Sequence, residues 1–152
     1  AKMGQFILQK GQWKGKQLLP ESWINEATTS HIASVPAGVR PEELKGKGLT
    51  VKNSDWLQGY GYQMWRCRHD AIRADGANGQ YIIILPEKDA VIVTTAHIGD
   101  MQAEINLIWK YILPALPQLE SSKFKISILS FITYREKMER YIFPIFLTVV
   151  FL

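Results

Sequence analysis

The sequence of 152 residues contains one cysteine, Cys67, and three histidines. A single thiol excludes an internal disulfide and any metal site built from four thiolates. His31, His69 and His97 are far apart in the chain, and no pair has the spacing of metal ligands. The sequence therefore predicts no metal site and no cofactor, and it favours a structural role for Cys67 as a buried strand residue.

The sequence also lacks a concentrated block of positive charge. Its net charge is +4 and its isoelectric point is near 9.2, but lysine and arginine are scattered along the chain. A protein that binds nucleic acid usually gathers these residues on one face. Nucleic acid is therefore not an expected partner.

Two kinds of apolar segment are missing as well. Residues 1–16 have neither the long apolar core nor the cleavage-like site of a signal peptide. They open inside an amphipathic pattern without a starting methionine, which favours a fragment of a longer protein. The terminal apolar run, Tyr141–Leu152, has about twelve residues and includes a proline, whereas a membrane-spanning helix needs about 20.

The stretch Gly59–Thr95 carries the clearest pattern in the chain. Its three apolar or aromatic runs are Tyr60–Cys67, Gln80–Leu85 and Ala90–Thr95, and Pro86–Asp89 forms a turn-like break between the last two. Strand-like runs bounded by such breaks predict an antiparallel meander. The fold class predicted is α+β, with helices flanking an antiparallel sheet.

Two helices are predicted before this stretch. Met3, Phe6 and Ile7 recur at helical spacing, and Gly11 stands where a C-cap glycine would stand. Pro20 followed by an acid begins a second helix. We expect three of its residues to face the core: Trp23, Ile24 and Ala27.

A third helix is predicted after the sheet. Asp100 is a plausible N-cap, and an apolar stripe at three- and four-residue spacing follows it. The stripe consists of Met101, Ile105, Ile108, Trp109 and Ile112. Between the second helix and the sheet, Thr28–Gln58 shows no periodic pattern and predicts a long surface loop.

The sequence divides into a domain at residues 1–118 and a hydrophobic tail at residues 119–152. Pro114 and Pro117 stand at the junction, and dense apolar blocks flank the charged stretch Arg135–Arg140 beyond it. The tail is expected to lie outside the core. A helix at a membrane surface, a helix that docks on a partner, and a sequence foreign to the domain all remain open.

A glycine pair precedes the second strand run, in the segment Ala74, Asp75, Gly76, Ala77, Asn78, Gly79. Glycines at a strand entrance mark a bulge or a place where another group approaches the backbone closely. Tyr60 and Tyr62 are candidates for lining a cleft beside it, although core and cross-strand packing is the favoured explanation for them.

Together, these features resemble the C-terminal part of a serine hydrolase of the beta-lactamase and penicillin-binding-protein superfamily, nearest its class C and esterase-like branches. The resemblance covers residues 2–117. The matching stretches are the opening MGQFILQKGQWKGKQLLPESWI, the GYGYQMW run, DGANGQYIIILPE, AVIVTT and the closing helix.

The resemblance implies a beta-lactamase/transpeptidase-like fold and hydrolysis of a small-molecule ester, amide or beta-lactam through an acyl-serine. It places the third active-site motif, normally a Lys or His, then a small residue, then Gly, at Ala74-Asp75-Gly76. Ala77 and Gly79 complete that side of the cleft. Alanine in the position of the cation weakens a beta-lactamase assignment, because the cation binds a substrate carboxylate.

The catalytic residues of that family are missing from the expected place. A serine nucleophile needs a lysine one helical turn away. Residues 1–73 contain no Ser-x-x-Lys, Tyr-x-Asn or Ser-x-Asn, and the one match, Ser122–Lys125, follows the closing helix in the wrong order. No catalytic residue is therefore assigned, and the chain alone is expected to be inactive.

The missing N-terminal segment of the same domain is the partner that this interpretation requires. The alternative is a non-catalytic binding or structural module, or an inactive truncated product. The resemblance also suggests an exported or cell-envelope parent protein.

Overall fold

The computed structural model describes residues 1–116 and the backbone of residues 146–151. The fold is α+β, as the sequence predicts, with helices packed against an antiparallel sheet. The helices are α1 (Lys2–Leu8), α2 (Glu21–Thr28) and α3 (Met101–Leu107). The strands are β1 (Gln12–Trp13), β2 (Lys16–Gln17), β3 (Trp65–Arg66), β4 (Ile72–Gly76), β5 (Gln80–Leu85), β6 (Ala90–Thr95) and β7 (Phe146–Phe151).

The main sheet is a meander in the order β3-β4-β5-β6-β7, with every neighbouring pair antiparallel. The predicted strands Gln80–Leu85 and Ala90–Thr95 are confirmed. The first predicted strand is shorter than expected. Only Trp65–Arg66 forms a strand, and Tyr60 makes isolated bridges to Ile32 and Trp65, because Gly59 and Gln63 take left-handed conformations at φ of 100° and 59° that turn the chain.

Side-chain alternation along β5 divides the core into two layers. Tyr81, Ile83 and Leu85 pack with Ile105 and Trp109 on the face covered by α3. The strand's period of two places Ile84 on the opposite face, with Ile7 of α1 and Ile24 of α2. A fully buried isoleucine stabilises the fold by about 1.5–3 kcal/mol, so both layers contribute.

Helix α1 lies directly on the sheet because Gly4 has no side chain. A Cβ at Gly4 would stand 2.8 Å from the Cγ2 atom of Ile82. The predicted C-cap at Gly11 is wrong by one residue. Lys10 takes the left-handed conformation (φ 53°), and the Gly11 amide closes the helix end by donating to the Phe6 carbonyl at 3.0 Å.

Helix α3 begins as predicted. The Asp100 carboxylate accepts a hydrogen bond from the Ala103 amide at 2.9 Å. The predicted apolar stripe is buried or half-buried along its whole length. The helix continues as a π-helical turn over Ile108–Ile112 and a 3₁₀ turn over Leu113–Ala115.

The core-facing side of helix α2 is the predicted one except at Trp23. Ile24 is buried and Ala27 is half-buried, whereas the Trp23 side chain is 46 % exposed. Trp23 instead contacts Tyr62, which lies on the protein surface. The predicted surface loop after α2 contains only short 3₁₀ turns, at Pro41–Glu43 and Asp55–Leu57.

The last strand lies within the hydrophobic tail of the sequence. β7 runs antiparallel to β6 over six residue pairs, from Ala90↔Phe151 to Thr95↔Phe146. The sequence did not predict this pairing. The domain boundary near residue 118 stays a prediction, and residues 117–145 lie outside the described residues. In the described part of the chain, every helix is too short or too polar to cross a membrane.

Candidate functional site

The segment that the sequence singled out forms the end of β4 and the turn that follows it. Ala74, Asp75 and Gly76 are half-buried and pair with β5. On the other side of β4, the short strand β3 reaches only Ile72 and Arg73. Within the described residues, no strand therefore pairs with the outer edge of Ala74–Gly76.

The turn itself requires its glycine. Ala77 is exposed, and Asn78 and Gly79 take left-handed conformations with φ of 63° and 87°. A Cβ on Gly79 would overlap the Oε2 atom of Glu104. The close backbone approach expected at this glycine is therefore real, and the group that approaches is a carboxyl of α3.

Arg73, immediately before Ala74–Gly76, is completely buried in an aromatic enclosure. Its Cζ atom lies 4.2 Å from the ring centre of Trp56, 5.3 Å from that of Trp65 and 5.8 Å from that of Tyr81. Such ring faces stabilise a guanidinium that has lost its water. They also explain how Arg73 tolerates an Nη2 atom that donates no hydrogen bond within the described residues.

The remaining guanidinium atoms of Arg73 are paired. Nε donates to Asp75 at 2.9 Å, and Nη1 donates to the Cys67 sulfur at 2.9 Å. Burial acts to lower the pKa of Arg73, but Cys67 and Asp75 raise it above its ordinary value. Arg73 is therefore charged at physiological pH, buried and paired with Asp75.

Cys67 is buried, as the sequence predicts, but it lies just after β3 and not within a strand. It is 4 % exposed, and its amide donates to the Ala71 carbonyl at 2.9 Å. Burial raises the pKa of the Cys67 thiol to about 11, although the nearby Arg73 charge opposes the rise. The thiol is therefore neutral at physiological pH and unsuited to act as a nucleophile.

A second buried charge, Asp55, joins the loop before β3 to α3. Its Oδ2 atom accepts hydrogen bonds from Arg68 at 2.7 Å, Gln102 at 2.8 Å and Trp109 at 3.0 Å. Burial acts to raise the pKa of Asp55, but these bonds, with Arg68 the strongest, hold it below its usual value. The carboxylate therefore fixes the loop that carries Trp56 over Arg73.

The two candidate tyrosines take part in different groups. Tyr60 is half-buried and its ring contacts Trp65 edge-on at 4.8 Å, so it adjoins the Arg73 enclosure. Tyr62 is 42 % exposed, stacks on His31 at 4.5 Å and donates to Glu26 at 2.9 Å. The structure thus brings Tyr60 toward the third-motif segment and places Tyr62 against α2.

Sequence reasoning did not single out Arg73 or Glu104, although each had a signal. Arg73 is a charged residue in a stretch that is otherwise apolar or small, directly before Ala74. Glu104 interrupts the apolar stripe of α3, one position before Ile105. An acid inside such a stripe indicates a buried carboxyl, and Glu104 is 1 % exposed.

No protein-family model matches this sequence, and a comparison with curated proteins finds no match either. Among the described residues, no three histidine, cysteine or acidic side chains are grouped so as to hold a metal ion. The candidate site therefore rests on its own geometry. It consists of an unpaired strand edge, a tight turn and a buried arginine–aspartate pair behind them.

Proposed function

We propose that this chain forms the third-motif side of the substrate cleft in a serine hydrolase related to the beta-lactamases and penicillin-binding proteins. The chain carries no nucleophile of its own in this proposal. A separate segment with Ser-x-x-Lys supplies the serine that forms the acyl intermediate.

The outer edge of Ala74–Gly76 is the observation that carries this proposal. An unpaired strand edge offers backbone N–H and C=O groups to a ligand. The edge is also held rigidly, because Asp75 is bonded to the buried Arg73 and because Gly76 pairs with Gln80 across the turn. A fixed edge of this kind can orient the carbonyl group of an ester or amide beside a nucleophile.

The charges around this edge favour a neutral ester over a carboxylate-bearing beta-lactam. Ala74 provides no cation, and the guanidinium of the adjacent Arg73 is 0 % exposed and paired with Asp75. A substrate carboxylate at the edge would therefore meet Asp75 without a free positive charge from these residues. We accordingly infer an esterase-like substrate class for the parent enzyme.

The first experiment measures turnover of p-nitrophenyl acetate and nitrocefin by the purified chain. We expect rates equal to those of buffer, because residues 1–73 lack the nucleophile pair. The matched variant is Ser122→Ala, which removes the only Ser-x-x-Lys match. Turnover that this variant abolishes would contradict the proposal and assign the chemistry to the tail motif.

The second experiment asks whether a nucleophile segment exists. The coding sequence upstream of residue 1 is read in the same frame for Ser-x-x-Lys followed by Tyr-x-Asn or Ser-x-Asn. A joined protein, which contains this upstream segment and residues 1–152, is then assayed with the same two substrates. We expect ester hydrolysis that is lost when the new serine becomes alanine. A joined protein without the motif, or one that is inactive, would favour the non-catalytic module.

One observation favours that second candidate, a non-catalytic binding module. Trp23 and Tyr62 form an exposed aromatic surface with His31, and the Tyr62 amide is fixed to the Ala27 carbonyl at 2.8 Å. Rigid, half-exposed aromatic rings are typical anchors of protein interfaces.

A further inference from the structure

Glu104 is a buried acid without a hydrogen-bond partner. It lies in the first turn of α3, its side chain is 1 % exposed, and neither carboxyl oxygen has a partner within the described residues. An ionised carboxylate in such a place is strongly unfavourable, because it has lost water and gained no donor. The site therefore suits the neutral acid.

The carboxyl of Glu104 is seated against the backbone of the turn Ala77–Gly79. Only glycine leaves room for it, since a Cβ at Gly79 would overlap Oε2 and approach the Cγ2 atom of Ile98 to 2.9 Å. The Ile98 amide donates to the Asn78 carbonyl at 3.1 Å and so joins the same turn to the segment before α3. The carboxyl thus lies at the junction between the turn and α3.

The Thr94 hydroxyl is a polar group beside the Glu104 carboxyl. The Thr94 hydroxyl lies close enough to interact with Glu104, but it donates its single proton to the Gly79 carbonyl at 3.1 Å. A protonated carboxyl can donate a hydrogen bond to Thr94. A carboxylate gains the Thr94 proton only if the hydroxyl turns away from the Gly79 carbonyl, so this contact acts to lower the pKa of Glu104 while burial, the larger effect, raises it.

No ion pair within the described residues includes Glu104. The charged and titratable groups nearby are Tyr81 on β5, Arg73 and Asp75 on β4, Cys67 beside Arg73, His97 in the preceding loop and Asp100 at the start of α3. The Tyr81 hydroxyl donates to the Met101 carbonyl at 3.1 Å, and Arg73 is bonded to Asp75. Burial consequently raises the pKa of Glu104 to about 7, although Thr94 acts to lower it.

We propose that Glu104 is a proton-controlled latch that holds the Ala77–Gly79 turn against the start of α3. In the neutral form, the carboxyl remains seated beneath Gly79. When the proton leaves to water, the carboxylate moves out toward solvent and the turn separates from Ile98. Because the turn follows Ala74–Gly76 directly, the same proton controls the end of β4.

The latch is tested by amide hydrogen exchange of the full chain between pH 5.5 and pH 8.5, corrected for the intrinsic rate at each pH. The Ile98 amide reports the contact between the turn and the segment before α3. We expect its protection to fall at least tenfold between pH 6 and pH 8, and to change less than twofold in Glu104→Gln, which remains neutral. A matched control, Asp89→Asn, removes another acid whose pKa burial raises, and it should behave like the wild type.

Two results would overturn the latch. One is protection of the Ile98 amide that does not depend on pH in the wild type. The other is a loss of that protection between pH 6 and pH 8 that is as large in Glu104→Gln as in the wild type. Direct ¹³C titration of the Glu104 carboxyl in the wild type makes the test independent of how the variant folds. A midpoint near pH 7 supports the latch, and a midpoint below pH 5 contradicts it. The latch requires no hydrolase activity, so its failure would leave the proposed function unaffected.

Discussion

Individual charged residues inside this protein are tolerated because each one is enclosed by groups from distant parts of the chain. Arg73 is covered by Trp56 and Trp65, and Asp55 is bonded to Gln102 and Trp109. Local sequence patterns cannot reveal such partners, since they come together only after the loop, the sheet and α3 have packed. The tight turn after β4 could be predicted from the sequence for the opposite reason, because Gly76 and Gly79 are close together in the chain.

Asp55→Ala is predicted to destabilise the chain by about 3 kcal/mol, since it leaves Arg68, Gln102 and Trp109 without their common acceptor. Urea unfolding at pH 7 measures the change. Folding lowers the pKa of Asp55. Its contribution to stability is therefore present at pH values above the ordinary pKa of aspartate and is lost as the pH falls below that value. The wild type and the variant should therefore converge in acid.

Glu43→Ala provides the control for that measurement. It also breaks an arginine–carboxylate pair, between Arg40 and Glu43 at 3.0 Å, but on the protein surface. Exposed pairs contribute little to stability, so unfolding should barely change. If the two substitutions lower the free energy of unfolding equally, the buried hydrogen bonds of Asp55 do not stabilise the fold as their burial implies.

At the level of secondary structure, the sequence predicts best where hydrophobic periodicity and turn chemistry agree. β5, β6 and α3 were predicted because each has a strong periodic pattern and a clear boundary, such as the Asp100 cap. The first strand was predicted too long because aromatic alternation in Tyr60–Cys67 does not reveal a left-handed residue at Gln63. β4 was not predicted from periodicity, because the charges of Arg73 and Asp75 interrupt the apolar alternation expected of a strand.

Two of the hairpin turns, β1-β2 and β4-β5, allow a test of what Gly79 contributes. Gly79 and Gly15 both follow a left-handed residue and have φ of 87° and 76°, but nothing lies within 4 Å of a Cβ at Gly15. Gly15→Ala should cost about 1 kcal/mol for backbone strain alone. Gly79→Ala should cost at least about 1–3 kcal/mol more, because it also displaces the Glu104 carboxyl.

Thermal or urea unfolding of both glycine variants measures this difference, and Glu104→Ser identifies its source. In that background the obstructing carboxyl is gone, so the cost of Gly79→Ala should fall toward that of Gly15→Ala. An unchanged cost would mean that the turn excludes a side chain for some reason other than Glu104.

For the whole molecule, the relation between the tail and the sheet decides where the folded unit ends. The dense apolar blocks and the two prolines at the junction predict a boundary near residue 118. The pairing of β7 with β6 gives the tail a structural role, because it covers a sheet edge that would otherwise carry six unpaired residues. An uncovered apolar edge is a template for association with another chain.

Deleting residues 119–152 tests whether the tail lies outside the domain or covers the edge of β6. Removal of β7 exposes the edge of β6, so we expect the truncated chain to form dimers or larger species with increasing concentration, measured by size-exclusion chromatography with light scattering. Replacing Val93, a half-buried residue of β6, by lysine in the truncated chain should restore the monomer, since a charge blunts an open edge. A truncated chain that stays monomeric with an unchanged melting temperature would instead place the whole tail outside the domain. If neither truncated protein folds, β7 is part of the core and the predicted boundary near residue 118 is wrong.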